Sequence, residues 1–161
     1  MSFEKNRKRK FIRSDKSARL WYLITIFSVL LVCVSWIFNI GWYRVILIWS
    51  TIPFIHIVLF MLANFSAAKY FSKSKKIRIY TILSIASFIS ANLLFPDGGD
   101  IGGMYCFFGL IRNDLLATIA AYISMHCFLL NIVILILELV ESVKCRRRSR
   151  IAVENEALPN D

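Results

Sequence analysis

The sequence predicts an all-α protein, namely an integral membrane four-helix bundle with both termini in the cytoplasm. Three observations lead to this prediction. Of the 161 residues, 58% are hydrophobic and the mean hydropathy is +0.62, whereas a soluble domain is nearer to half apolar. The chain contains four apolar segments with the ~20 residues that a helix needs to cross a bilayer. Its basic residues cluster beside those segments, as they do on the cytoplasmic side of membrane proteins.

The net charge of +10 comes mainly from three clusters. Of the 20 Lys and Arg residues, eight lie in 1–19, five in 69–78 and five in 144–150. In a soluble protein this charge would suggest nucleic acid. Clusters that flank spans instead set the topology and contact anionic lipid headgroups. We therefore expect no nucleic-acid partner, and we place the protein in the cell inner or plasma membrane with its basic termini on the cytoplasmic face.

One membrane domain is predicted, residues 20–143, between a basic cytoplasmic tail, 1–19, and a second cytoplasmic tail, 144–161. The basic tail has few apolar residues to bury, so we expect it to lack regular structure. The expected spans are, in order, 20–40, 45–66, 78–95 and 116–137.

Span one carries a polar face on an otherwise apolar helix. The polar residues recur at helical spacing: Thr25, Ser28, Ser35 and Asn39. This face should point at other spans, because lipid offers no hydrogen-bond partners. The connection that follows, Gly41–Arg44, is so short that span two must lie antiparallel beside span one. Within span two, Pro53 removes a backbone donor and should kink the helix.

Spans three and four are expected to pack against each other through small and polar side chains. On span three, Ser87 and Ala91 have the spacing that lets two helix backbones approach closely. On span four, small and polar residues repeat every seven positions: Ala117, Ser124, Asn131 and Glu138. Since Ser87–Ala91 and the outer half of this stripe lie at similar depth, the two faces should meet.

Polar side chains within spans are candidates for function, because they are costly in a membrane. The candidates here are His56, His126, Asn131 and Glu138. Glu138 lies near the inner end of span four. The favoured interpretation is that this end of the helix is solvated. In a second interpretation, the stripe that contains Ser124, Asn131 and Glu138 lines a path between copies of the chain.

His56 and His126 are the only histidines. Counted from the expected starts of their spans, both lie about 15–16 Å into the membrane. Two histidines at equal depth on facing helices would be able to hold a haem or a metal ion, or to relay a proton. The favoured interpretation is that each histidine is hydrogen-bonded to its own neighbours, so we expect no cofactor and no metal.

The outer loop, 96–115, is the one long segment expected on the far side of the membrane. Its first part is rich in Pro, Gly and Asp, which form turns. The apolar stretch Met104–Ile111 is too short to cross, so it should lie in the membrane interface or dip back into the membrane. The favoured interpretation of this stretch is a connector that its aromatic side chains anchor at headgroup level, and the alternative is a recognition or gating element. Two acids without a closing Glu do not make a calcium loop. The candidates for ligand or partner contact are Asp97, Asp100, Tyr105, Phe107 and Phe108.

The sequence contains neither a phosphate-binding glycine motif nor a Ser/His/Asp or Cys/His arrangement. We therefore expect a protein that is not an enzyme. The favoured function is binding or regulation, of the accessory or immunity type, with the outer loop recognising a membrane protein partner or a second copy. Two alternatives stay open: a subunit of an oligomeric channel or transporter, and a membrane redox or metal protein that uses His56 and His126.

Overall fold

The computed structural model describes residues 2–39, 41–98 and 103–157, and the side chains within those ranges from 16 to 151. This part of the chain is helical, and its only strand-like features are two isolated bridges, which pair Asp97 with Tyr105 and Cys106 with Ile111. The helices are α1 Ser2–Phe38, α2 Trp42–Trp49, α3 Ile52–Ala68, α4 Lys75–Leu93 and α5 Asp114–Ala157.

Two helices are long and apolar enough to cross a membrane by themselves. They contain the segments Lys16–Phe38 in α1 and Asp114–Ile151 in α5. Helices α2 and α3 meet the same criterion only together, as one broken span. Helix α4 falls short because its first turn is basic, with Lys75, Lys76 and Arg78. Within the described residues, two helices are therefore long and apolar enough to cross a membrane, or three segments are if the broken pair counts as one.

The second apolar segment is broken where the sequence predicted a kink. Helix α2 ends at Trp49, α3 begins at Ile52, and the two axes differ by 71°. Thr51, at the start of α3, has a left-handed φ of 59°. Pro53 lies in the first turn of α3, where its missing N–H is not needed. Pro53 accounts for the start of α3. The left-handed conformation of Thr51 interrupts the helix and separates α2 from α3.

Both polar tails continue the helices beside them. Helix α1 begins at Ser2, so the prediction that the basic tail lacks regular structure was wrong, and α5 extends to Ala157. Adding residues to a helix that already exists fixes only one residue for each hydrogen bond gained, which costs far less than starting a new helix.

The exterior is apolar and the interior contains many polar side chains beside its apolar core, whereas a soluble protein buries mainly apolar side chains. On the outward face of α1, Leu23, Phe27 and Leu30 are each more than half exposed. Buried polar or charged side chains come from every helix: Thr25, Ser28, Ser35, Asn39, Arg44, His56, Asn64, Thr81, Ser84, Ser87, Ser124, Asn131, Glu138 and Ser142. Polar groups can pair with each other in the interior but find no partners in lipid. This arrangement is consistent with a membrane protein.

Helices α4 and α5 form the most extensive helix contact, as the small faces predicted. The hydroxyl of Ser124 donates a 2.6 Å hydrogen bond to the carbonyl of Ala91. The polar face of α1 is buried as well. The apolar core includes Phe60 of α3 and Phe88 of α4, whose rings stack with centroids 3.8 Å apart.

Candidate functional site

The candidate site is a chain of buried polar side chains that runs through the bundle along α4 and α5. We call it the polar chain; its members are His56, Asn64, Thr81, Ser84, Ser87, Asn131 and Glu138. Asn131 and Glu138 lie two turns apart on the stripe of α5, and both are fully buried. Seven residues of helix separate them by about 10 Å along the axis. The stripe residues Ser124, Asn131 and Glu138 are each at most 1% exposed within one copy, so their side chains do not reach the surface that a second copy would meet.

Asn131 is the centre of the outer half of the polar chain. Its amide Nδ2 donates to the carbonyl of Ser84 at 2.7 Å and lies 2.9 Å from the hydroxyl of Ser87. Its Oδ1 lies 2.8 Å from Nε2 of His56. The His56 ring also packs against Phe88 and Phe128. One amide thus ties α3, α4 and α5 together and fixes the orientation of a buried imidazole.

The inner half of the polar chain continues through Ser84. The amide of Asn64 and the hydroxyl of Ser84 form a close pair, with Nδ2 3.0 Å and Oδ1 3.2 Å from Oγ. One turn further along α4, the hydroxyl of Thr81 donates a 2.5 Å hydrogen bond to Oε1 of Glu138. Asn64 was not predicted as a site residue, although this amide lies within the expected apolar span 45–66, two residues before its end.

Glu138 is inside the bundle, so its assignment to a solvated helix end was wrong. None of its surface is exposed, and its second oxygen, Oε2, has no hydrogen-bond partner. The hydroxyl of Ser142, one turn further along α5, is buried and unpartnered too. Glu141, on a neighbouring face of the helix, is half-buried. The seven-residue repeat had placed Glu138 on the correct face, and only its environment was misjudged.

His56 and His126 do not share a site. His56 is buried at the level of Asn131, whereas His126 is exposed and its Nδ1 lies 2.7 Å from the carbonyl of Tyr122 on its own helix. His126 lies five residues before Asn131, a separation of about 7 Å along the axis. The expected equal depth assumed an unbroken second span. Within the described residues, no three His, Cys, Asp or Glu side chains gather as they would around a metal ion.

The outer loop is attached to the bundle through Asp97, which the sequence had suggested as a contact residue. The Asp97 side chain is fully buried. Its carboxylate accepts backbone N–H groups from Gly41 at 2.9 Å, Tyr43 at 3.2 Å, Arg44 at 3.1 Å and Gly98 at 2.8 Å. Asp97 therefore caps the N-terminus of α2 from another part of the chain. It is committed to the fold, and direct contact with a partner is excluded by its burial.

Arg44 is the residue that sequence reasoning missed. Its guanidinium is buried and donates to the carbonyls of Ser35 at 3.0 Å, Asn92 at 3.2 Å and Phe95 at 2.9 Å. Its Nε lies 3.9 Å from Oδ2 of Asp97. We call this ion pair the outer clasp, Arg44 with Asp97, since it joins the ends of α1, α2 and α4 on one side. The sequence did contain a signal for Arg44, because it is the one basic residue in the very short connection Gly41–Arg44.

Gly41 leaves the space that the outer clasp needs. A Cβ atom at this position would lie 2.6 Å from Cγ of Asp97 and 2.8 Å from the carbonyl oxygen of Gly98. No larger residue fits here without moving the carboxylate.

The tip of the outer loop has an unusual backbone. Phe107, Phe108 and Gly109 follow one another with φ values of 52°, 59° and 74°. Left-handed φ is a genuine outlier for a bulky residue, and here two occur in succession. The segment is held by the N–H of Phe107, which donates to the carbonyl of Leu93, and by contact of the Phe108 ring with Phe38.

The remaining loop residues have separate roles. Tyr105 pairs with Asp97 through two 2.8 Å backbone hydrogen bonds, and Asp100 lies outside the described residues. Cys106 is buried, and this burial raises the pKa of its thiol. Phe107 and Leu110 remain exposed, at 40% and 75%. Of the predicted contact residues, Phe107 is the one that the structure presents clearly to the outside.

Comparisons with protein-family models, curated proteins and solved structures found no match for this chain. Functional conclusions therefore depend on the geometry described above.

Proposed function

We propose that this chain is a four-span integral membrane protein of the inner or plasma membrane, with both termini cytoplasmic. Its role is non-enzymatic binding or regulation, and its outer loop meets a membrane protein partner or a second copy. The two long helices supply the first and last spans, the broken pair α2–α3 supplies the second, and α4 supplies the third. The polar side chains that α4 buries against α5 support its place inside the bundle.

The orientation is supported by the position of the charges. The end of the bundle that includes the start of α4 and residues 144–150 is strongly basic. The other end has only Arg44 and Arg112, and Arg44 is neutralised by Asp97. Loops with excess Lys and Arg stay in the cytoplasm, and the same residues would contact anionic headgroups.

Cysteine labelling will test this topology. In a cysteine-free background, we expect an impermeant maleimide added to intact cells to label Arg112→Cys and to leave Ser149→Cys unlabelled until the membrane is opened. Both positions are exposed. The native Cys106 is a poor reporter, because it is buried and its raised thiol pKa keeps the reactive thiolate scarce. Labelling of Ser149→Cys in intact cells would overturn the proposed orientation.

The observation that carries the binding function is the left-handed run Phe107–Phe108–Gly109. Each bulky residue in this conformation costs about 1–2 kcal/mol. Such strain persists only where the surroundings impose it, and it is concentrated at functional sites. Here the hydrogen bond from Phe107 to the carbonyl of Leu93 and the bridge from Cys106 to Ile111 hold it in place. The result is a preformed apolar surface on the far side, consisting of Phe107 and its exposed neighbours Met104 and Leu110.

The variant Phe107→Gly is expected to abolish partner binding without lowering the stability of the fold. Glycine adopts positive φ without strain, and the half-exposed ring of Phe107 contributes limited packing. We expect the free energy of unfolding to stay unchanged or to rise by up to about 1 kcal/mol, while partner capture from native membranes is lost. Unchanged capture of the same partner by Phe107→Gly would contradict the proposal.

Photo-crosslinking identifies what the loop touches. A crosslinking amino acid at Leu110, which is 75% exposed, should give a discrete protein adduct in cells, whereas one at Phe27, 65% exposed on the outer face of α1, should react mainly with lipid. An adduct at twice the mass of the chain would identify a second copy as the partner. Lipid adducts alone at both positions would count against a binding role for the loop.

A further inference from the structure

Glu138 has an acid group in the interior that nothing in the described structure neutralises. It is 0% exposed, Oε1 accepts the hydroxyl of Thr81 at 2.5 Å, and Oε2 has no partner. The neighbouring hydroxyl of Ser142, also buried, lacks a partner as well. Two buried oxygen atoms without a hydrogen-bond partner therefore lie one turn apart on the same face of α5.

Among the side chains that the structure describes, no cation pairs with this carboxyl group. The helices packed against α5 are α3 and α4. The uncharged polar neighbours on α4 are Thr81 and Ser84. None of the described titratable or charged residues on the inner parts of these helices bonds or ion-pairs with Glu138; they are Lys69 directly after α3, Arg78 and Tyr80 on α4, and Glu141 and Lys144 on α5. Lys69, Arg78 and Lys144 are exposed.

An ionised carboxylate in this position would be buried, unpaired and only half hydrogen-bonded. Burying an isolated charge costs far more than burying a neutral polar group, and such a group neutralises instead. A neutral carboxylic acid has a hydroxyl donor and keeps acceptor capacity. With the proton on Oε2, Oε1 still accepts from Thr81.

We propose that Glu138 is a proton-binding site. Its carboxyl group holds the proton on Oε2 at neutral pH. The proton is exchanged with water at the basic end of the bundle, residues 144–150, which is the nearer end. Away from that end, Glu138 is joined through Thr81 and Ser84 to the rest of the polar chain. The site is built by one copy of the chain and does not depend on the outer loop or on a partner.

A lipid-soluble carbodiimide tests the site on the full-length protein in native membranes. It reacts with a protonated carboxyl group, which gives its proton to a carbodiimide nitrogen while its oxygen bonds to the central carbon. We expect one adduct, at Glu138, whose yield falls as the pH is raised. The adduct should be absent in Glu138→Gln and retained in the matched control Glu141→Gln. An adduct at Glu141 alone would overturn the proposal.

Infrared difference spectroscopy gives a second measurement that does not require reagent access. The carbonyl stretch of a protonated carboxylic acid should be present at neutral pH in the wild type and in Glu141→Gln, and it should be lost in Glu138→Gln, which preserves side-chain shape and the bond from Thr81. Absence of that band in the wild type at neutral pH would refute the proposal. So would suppression of the carbodiimide adduct by sodium at constant pH, because the site would then bind a metal cation.

Discussion

Replacing Asp97 with alanine will lower the free energy of unfolding by about 3–5 kcal/mol, the range found when one partner of a buried ion pair is removed. The substitution leaves the Arg44 guanidinium buried without its counter-ion. It also removes the acceptor for four backbone N–H groups, three of which lie at the N-terminus of α2 and its preceding residue. Denaturant titration in detergent micelles measures the loss.

Asp114→Ala is the matched control. Asp114 belongs to the same outer region and also accepts a backbone N–H, from Met104 at 3.0 Å, but it is exposed and has no buried arginine beside it. Its loss should cost about 1 kcal/mol or less, as for a helix cap. If Asp97→Ala is no more destabilising than Asp114→Ala, the outer clasp does not hold the loop in place. Arg112, in the same loop, should still be accessible in that case. Cysteine labelling at this position can therefore test the topology independently of the outer clasp.

Asn131→Leu is expected to cost about 3–5 kcal/mol. Leucine has a similar shape but removes three hydrogen-bonded contacts, to His56, Ser84 and Ser87. Hydrogen bonds between membrane helices contribute about 0.6 kcal/mol each on average and up to about 1.7. Leaving Nε2 of His56 buried and unpaired adds a further penalty of about 1–3 kcal/mol. Unfolding by a denaturing detergent measures the difference from the wild type.

Two further variants make this prediction specific. His126→Leu changes a polar residue on the same helix that is exposed and bonded only within its own helix, so the change in stability should stay within about 0.5 kcal/mol. Adding His56→Leu to Asn131→Leu should recover part of the loss, because replacing both members of a buried pair by apolar groups is nearly neutral. If the double variant is less stable than Asn131→Leu, the His56–Asn131 contact is not the source of the effect.

The helix faces were predictable because they follow from local periodicity. Residues seven apart on a helix share a side, so the burial of Asn131 follows from the sequence once α5 is known to pack with one face inward. The same reasoning identified the polar face of α1 and the contact of Ser124 with Ala91. It could not say whether the inner end of the stripe faces water or protein, which is why Glu138 was misjudged.

The depth at which a residue lies along the helix bundle was not predictable, because this depth depends on every interruption of the helices that precede the residue in the chain. The left-handed Thr51 divides the second apolar segment and bends it by 71°. As a result, His56 lies at the level of Asn131 and not of His126. A proline signals that a helix is interrupted, but neither the angle nor the new register can be derived from its presence alone.

The sequence by itself determined that the chain is helical, that its long segments are apolar enough for a membrane, and which side of each helix is polar. These properties depend on composition and on spacing within one helix. Only the tertiary structure decided which polar groups meet: Arg44 with Asp97, His56 with Asn131, and Thr81 with Glu138. The two members of each pair lie more than 50 residues apart in the chain. Such pairs form because lipid offers polar side chains no hydrogen-bond partners, so those that their own helix does not satisfy meet partners from other parts of the chain.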